Sequence, residues 1–166
     1  LVLRHACRLS LEGVISKDSS APYRSGRSGT WIKSKCSERQ EFVVAGFTPS
    51  STARNAVGSL ILGYHDGGKL VHAGRVGTGF TQKVAGDLYR RLAKLSRKSS
   101  PFDVKLSAEE ARDAVFVRPD LVAEVEFRAW TASGALRHAT FRGLREDREA
   151  HEVVRESGDV VEEKPR

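Results

Sequence analysis

One stretch breaks the pattern of an otherwise strand-like chain. From Thr81 onward the apolar residues Val84, Leu88, Leu92 and Leu95 recur at helical spacing, with Thr81 as the N-cap and Pro101 beyond the end. On either side the apolar runs are short and rich in β-branched residues. "EFVVAGF" (Glu41–Phe47), "SLILGYH" (Ser59–His65) and "KLVHAGRV" (Lys69–Val76) come before it. The last two are joined by "DGG", a hairpin signal. "DAVFVRP" and "LVAEVEFRAW" (Leu121–Trp130) follow, then the turn "TASG" and "LRHATFRGL" (Leu136–Leu144).

Three strands, a helix, then two or three strands is the order of an OB-fold. That fold is a five-stranded Greek-key barrel with its helix between strands three and four. An SH3-like barrel would lack the helix. The fold class is therefore mainly β, with the barrel assigned to residues 40–154. A charged stretch, residues 155–166, reads as a tail or linker.

Residues 1–39 do not fit the barrel. "RHACRLSL" reads as a helix end and a turn, and two short strands follow, Val14–Ser16 and Trp31–Ser34. Between them lies a loop rich in Ser, Gly and Arg. Two strands and a helix end cannot form a domain alone. They read as the edge of a larger domain lying upstream. A chain that starts at Leu1 and contains no Met is expected to be part of something longer.

Composition narrows the function classes. No apolar run approaches the roughly 20 residues of a membrane helix, and Arg4 and Arg8 interrupt any signal-peptide pattern at the start. Two cysteines, Cys7 and Cys36, make neither a disulfide framework nor a zinc site, and inert thiols in a reducing compartment are expected. The five histidines show no metal-ligand spacing. Residues 1–100 carry 17 Lys and Arg against 6 acids, whereas residues 101–166 carry 11 against 15. A basic first part and a net charge of +7 suit a polyanion, nucleic acid before membrane.

Three constellations bear on chemistry. Lys33 and Lys35 in "WIKSKC" project to one face of a strand, where two ammonium groups repel unless an anion joins them. A phosphate fits there, and Glu12 in "EGVISK" could hold a divalent metal that neutralises it. Lysines guarding an edge strand against aggregation are an equal alternative. The helix from Thr81 carries Lys83, Arg90, Arg91, Lys94 and Lys98 opposite its leucines. That row suits a phosphate backbone or simply a solvated face. "FRGLREDREA" (Phe141–Ala150) sets Arg142, Arg145 and Arg148 around Glu146 and Asp147, either as a site or as a self-paired loop. "GRVGTGF" (Gly74–Phe80) lacks the βαβ frame of a dinucleotide site, and its glycines read as a tight exit from a strand.

In this order the stretches resemble the C-terminal part of an ATP-dependent DNA ligase, most closely the ligase portion of the bacterial ligase D end-joining enzymes. "LEGVISKD" resembles that family's motif IV, "TWIKSKC" its motif V and "FRGLRED" its motif VI. "YRSGRSGTW" resembles the segment linking the first two, and "VGTGF" the entry to the helix of the barrel domain. The ordered set favours a DNA ligase over a capping enzyme or RNA ligase.

The resemblance implies an adenylation domain ending near residue 39, then an OB domain, with ATP and Mg2+ or Mn2+ as cofactors. It implies that Glu12 helps bind the metal, that Lys33 and Lys35 contact the α-phosphate of the bound nucleotide, and that Arg145, Asp147 and Arg148 orient the pyrophosphate of ATP. Arg148 stands where many relatives have lysine. Lys17, Arg24 and Arg27 become further candidates for DNA phosphates, beside Lys83, Arg90, Arg91 and Lys94. Nicked or broken duplex DNA is the implied substrate, with the Ku end-binding protein as a candidate partner. A monomer in the bacterial cytoplasm, at the nucleoid, is the implied setting.

The implied reaction runs through lysyl-AMP and DNA-adenylate. Its nucleophile sits in a KxDG motif that these 166 residues do not contain, so the chain by itself is expected not to adenylate. The competing reading is a free-standing OB module that binds nucleic acid without catalysis.

Overall fold

The structure, a computed structural model, describes residues 1–9, 11–23, 25 and 31–156. They divide into two compact units, Leu1–Glu38 and Arg39–Arg166, in the second of which description ends at residue 156.

The first unit is a short helix and a hairpin. Helix α1 spans Val2–Arg8, strand β1 Gly13–Lys17 and strand β2 Trp31–Lys35. The two strands run antiparallel, with Gly13 opposite Lys35, Ile15 opposite Lys33 and Lys17 opposite Trp31. Cys36 N donates to Glu12 O at 3.1 Å and extends the ladder by one step. A Cβ on Gly13 would lie 2.2 Å from Ser34 O, so glycine is needed there for the strands to meet. The cysteines correct an expectation: Cys7 and Cys36 form a disulfide across a sequence separation of 29. The hairpin returns the end of β2 to the helix, which composition alone does not reveal. Among the described residues of this unit only Ala6 and Cys36 are buried apolar residues, while Leu3, Leu9, Leu11, Ile15, Trp31 and Ile32 are exposed.

Strand β3 (Glu38–Pro49) leads into the second unit, and β4 (Val57–Asp66) and β5 (Lys69–Val76) come next. Helix α2 (Gln82–Ala93) follows, then β6 (Val115–Phe116), β7 (Val122–Phe127), β8 (Ala129–Trp130), β9 (Leu136–Arg137) and β10 (Thr140–Leu144). The main sheet has the order β10-β7-β3-β4-β5, with β6 added to β3. Its two outer members meet where Phe141 N donates to Thr78 O at 2.9 Å, just past β5. That closes a five-stranded barrel with α2 between its third and fourth strands.

The barrel interior follows from strand alternation and from long apolar runs. Phe42, Val44, Leu60, Leu62, Val76, Val125 and Phe127 are sealed from solvent. Phe42 packs edge-on against Phe127 and tilted against Trp130, with ring centroids 5.9 and 5.8 Å apart. Leu88 and Leu92 of α2 complete the core. Thr81 caps that helix by accepting from Val84 N at 3.2 Å. Residues Ala150–Glu152 form a 3-10 turn, and the chain beyond is fixed by His65 N donating to Val153 O and Gln40 Nε2 to Val154 O.

Four elements are shorter than the sequence suggests: of "DAVFVRP" only Val115–Phe116 is strand, as β6. α2 ends at Ala93, so Lys94 is its C-cap and Lys98 lies outside it. Leu95 is half-buried against the core yet belongs to the turn that follows, since Leu95 N bonds to Leu92 O. The run Leu121–Trp130 splits into β7 and β8. Leu136–Leu144 splits into β9 and β10 around His138, which takes a φ of 54°. Among the described residues no helix is long and apolar enough to cross a membrane.

Candidate functional site

In the first unit, Glu12 directly precedes β1, so strand alternation does not fix its side chain. Its Oε1 lies 3.3 Å from Lys33 Nζ, and both side chains are more than half exposed. Lys35 stands two residues on, on the same strand face as Lys33 and opposite Gly13. An exposed pair of this kind contributes only about 0.2–1 kcal/mol. Such a contact can be exchanged for a phosphate or a metal at little cost to the fold. Lys17 goes elsewhere: its Nζ stands 4.2 Å from the centre of the Trp31 ring, the residue opposite it in the ladder. Arg24 and Arg27 lie outside the described residues.

In the second unit the arginines after β10 are held in an ionic network. Arg145 forms a fork with Asp147, Nε to Oδ1 and Nη2 to Oδ2, each at 3.0 Å. Its Nη1 reaches Glu41 Oε1 at 3.1 Å. Arg148 Nε donates to the other oxygen of Glu41 at 2.8 Å. The fork with Arg145 holds the Asp147 carboxyl down at about 2, and the Arg145 guanidinium is raised in turn. Hydrogen bonding to Glu41 likewise raises Arg148. Nearby, Arg142 bonds to Glu126, and Arg39 approaches Glu124 and Glu126.

The helix cations are not one uniform row. Arg90 pairs with Asp87 in its own helix, and Arg91 Nη1 donates to Glu146 Oε1 at 2.6 Å. That contact holds the Glu146 carboxyl below its ordinary value. Arg91 is thereby tied to the stretch after β10.

Three acids of this network were missed by sequence reasoning. Glu124 and Glu126 alternate with apolar residues in β7, so both belong to its outward face, and that spacing was a usable signal. Glu41, at the head of an apolar strand, gave none. As for metals, no group of three or more His, Cys, Asp or Glu among the described residues could hold one. Glu12 fits a Mg2+ or Mn2+ only as a single hard oxygen ligand. That suits an ion whose other ligands are water and phosphate oxygens.

Barrel order, helix position and the paired arginines after the last strand define the class: an OB-fold domain that follows a small helix and hairpin unit. Residues 53–148 match the family described as the ATP dependent DNA ligase C terminal region. The chain belongs to that family of ATP-dependent DNA ligases. It is 42% identical over 158 residues to the multifunctional non-homologous end joining protein LigD of Pseudomonas aeruginosa, covering 93% of this chain and 19% of that protein. It is 44% identical over 147 residues to the corresponding Mycobacterium tuberculosis protein, covering 87% of this chain and again 19% of the relative. The chain thus spans about a fifth of these relatives. The crystal structure of the ligase domain from M. tuberculosis LigD superposes with a TM-score of 0.71 at 41% identity, covering 93% of this chain and 50% of that one. A mycobacterial DNA ligase D complexed with ATP and MES gives a TM-score of 0.65, again at 41% identity and with the same coverage.

Proposed function

We propose that this chain supplies the nucleotide-phosphate contacts and the DNA-binding barrel of a DNA ligase that seals nicks or joins ends. The observation that carries this reading is the exposed Glu12–Lys33 contact with Lys35 beside it on the hairpin. Lys33 and Lys35 place positive charge at the α-phosphorus. As a KxDG lysine outside this chain attacks that phosphorus, pyrophosphate leaves, and the two ammonium groups offset the charge that builds on the phosphoryl oxygens. Glu12 donates one ligand to a divalent cation, which when bound neutralises further phosphate charge. Arg145 and Arg148 meet the departing pyrophosphate, and Asp147 sets the orientation of Arg145.

Because the 166 residues hold no KxDG, adenylation belongs to this chain only when it is joined to a half that carries that motif. The names of the relatives support an end-joining role at broken DNA; the bacterial cytoplasm as the setting, Ku as a partner and action as a monomer are further parts of this proposal.

Lys83, Arg90 and Lys94, with Lys17, serve as backbone phosphate contacts. Anisotropy titrations of this chain at a series of salt concentrations test that. Nicked duplex is expected to bind more tightly than single strands. The joint change Lys83→Ala, Arg90→Ala and Lys94→Ala is expected to lower the slope of log affinity against log salt by about two to three. Preference for single strands, with quenching of Trp fluorescence by stacking, would instead make the chain a free-standing OB module.

A further inference from the structure

Glu41 stands at the entry to the apolar part of β3, with a side chain only 14% exposed. Its two carboxylate oxygens go to two different arginines, Oε1 to Arg145 at 3.1 Å and Oε2 to Arg148 at 2.8 Å. The two guanidinium groups lie three positions apart in one loop and repel each other. A single carboxylate between them offsets that repulsion and sets their separation. Arg145 is further tied by its fork to Asp147. Arg148 donates to Glu41 through Nε, and among the described residues its two terminal amino groups donate no hydrogen bond, while the charge of Glu152 also acts on this guanidinium. Those amino groups are the edge with which arginine grips phosphate.

We propose that Glu41 is a positioning residue for the ligase reaction: it bridges Arg145 and Arg148 and presents the free edge of Arg148, beside Arg145, to a polyphosphate. This rests on the reading that these arginines meet the pyrophosphate portion of ATP. Glu41 itself touches no reacting atom. It acts by holding two cations in register, which lowers the ordering cost of binding.

Charge and position predict opposite outcomes. If Glu41 were a counter-charge only, Glu41→Gln would raise the local positive potential and tighten anion binding, while Glu41→Asp would leave it unchanged. If it positions, both variants weaken binding. The amide cannot accept from both arginines, and the shorter acid cannot reach both.

The test uses the 166-residue chain and sodium tripolyphosphate, followed by NMR of the arginine Nε–Hε groups and by calorimetric titration. The expected result is sharp Arg145 and Arg148 signals in the wild type, broadened signals in both variants, and affinity lower by roughly tenfold, the order for losing one charge-assisted hydrogen bond. Unchanged signals, or tighter binding by Glu41→Gln with wild-type binding by Glu41→Asp, would overturn the proposal. Should Glu41→Gln fail to fold, Glu41→Asp alone decides. If the wild type ignores tripolyphosphate while the variants still loosen both arginines, the positioning stands and the pyrophosphate role of the arginines falls.

Discussion

Replacing Lys33 by Ala is expected to slow adenylyl transfer by roughly two to three orders of magnitude when this segment is joined to a half that carries the KxDG lysine. That is the size of effect seen when one preorganised donor to a developing oxyanion is removed. The argument rests on where the side chain stands. Lys33 is on the exposed face of β2, shares that face with Lys35, and pairs with the exposed carboxylate of Glu12. Losing an exposed pair costs the fold about 0.2–1 kcal/mol, so the melting temperature should barely move. A large fall in rate with an unchanged melt therefore belongs to chemistry. Single-turnover transfer from ATP at saturating nucleotide reads it directly. A loss below about threefold would place Lys33 among lysines that merely guard an edge strand.

Replacing Gly79 by Ala is expected to destabilise the barrel by about 3–5 kcal/mol. Gly79 has a φ of 94°, where an L side chain is strained. A Cβ there would lie 2.3 Å from Phe141 O and 2.9 Å from Phe141 N. These are backbone atoms of β10, which cannot turn aside, so overpacking adds to the strain. The position matters because Phe141 N bonds to Thr78 O and closes the barrel, while the Phe141 ring packs on Phe80 with centroids 4.9 Å apart. Urea unfolding followed by tryptophan fluorescence measures the loss. Gly86 in α2 is the control: nothing lies within 4 Å of a Cβ there, and Gly86→Ala is expected to stabilise by about 0.5–1 kcal/mol. Equal effects at the two positions would mean that the loop yields around Gly79, and that neither its φ nor its contact with Phe141 constrains the barrel.

How far the fold could be read from the sequence varied with the kind of signal. Strand β5 and its hairpin were legible because Gly67 and Gly68, both at positive φ, mark the turn between two apolar runs. The start of α2 was legible because Thr81 is a capping residue by type. Its end was not, since Leu95 keeps the apolar period after the helix has stopped, and so Lys94 and Lys98 seemed to extend a face that ends at Ala93. The break between β9 and β10 depends on a left-handed His138, and histidine does not demand that conformation. The Cys7–Cys36 bridge depends on a hairpin bringing distant residues together.

The site divides in the same way. The spacing of Lys33 and Lys35 and the cluster Arg145, Asp147 and Arg148 stand out in the sequence because charges recur at short intervals. Their partners do not. Glu41 is more than 100 positions from Arg148, and only the closing of the barrel joins them. Arg91 and Glu146 are separated by 55 positions and meet for the same reason. Pairings made by topology leave no local trace, and they decide which cations remain available to a phosphate.

The most direct measurement is acid-stable transfer of label from ATP labelled at the α-phosphate, in the presence of Mg2+. The 166-residue chain alone is expected to take no label. The same residues joined to the other half of the M. tuberculosis ligase domain, the half this chain does not cover, should become labelled on that half, and Lys33→Ala should abolish most of the signal. Label on any lysine of the chain alone, or labelling of the joined protein that ignores Lys33, would contradict the account.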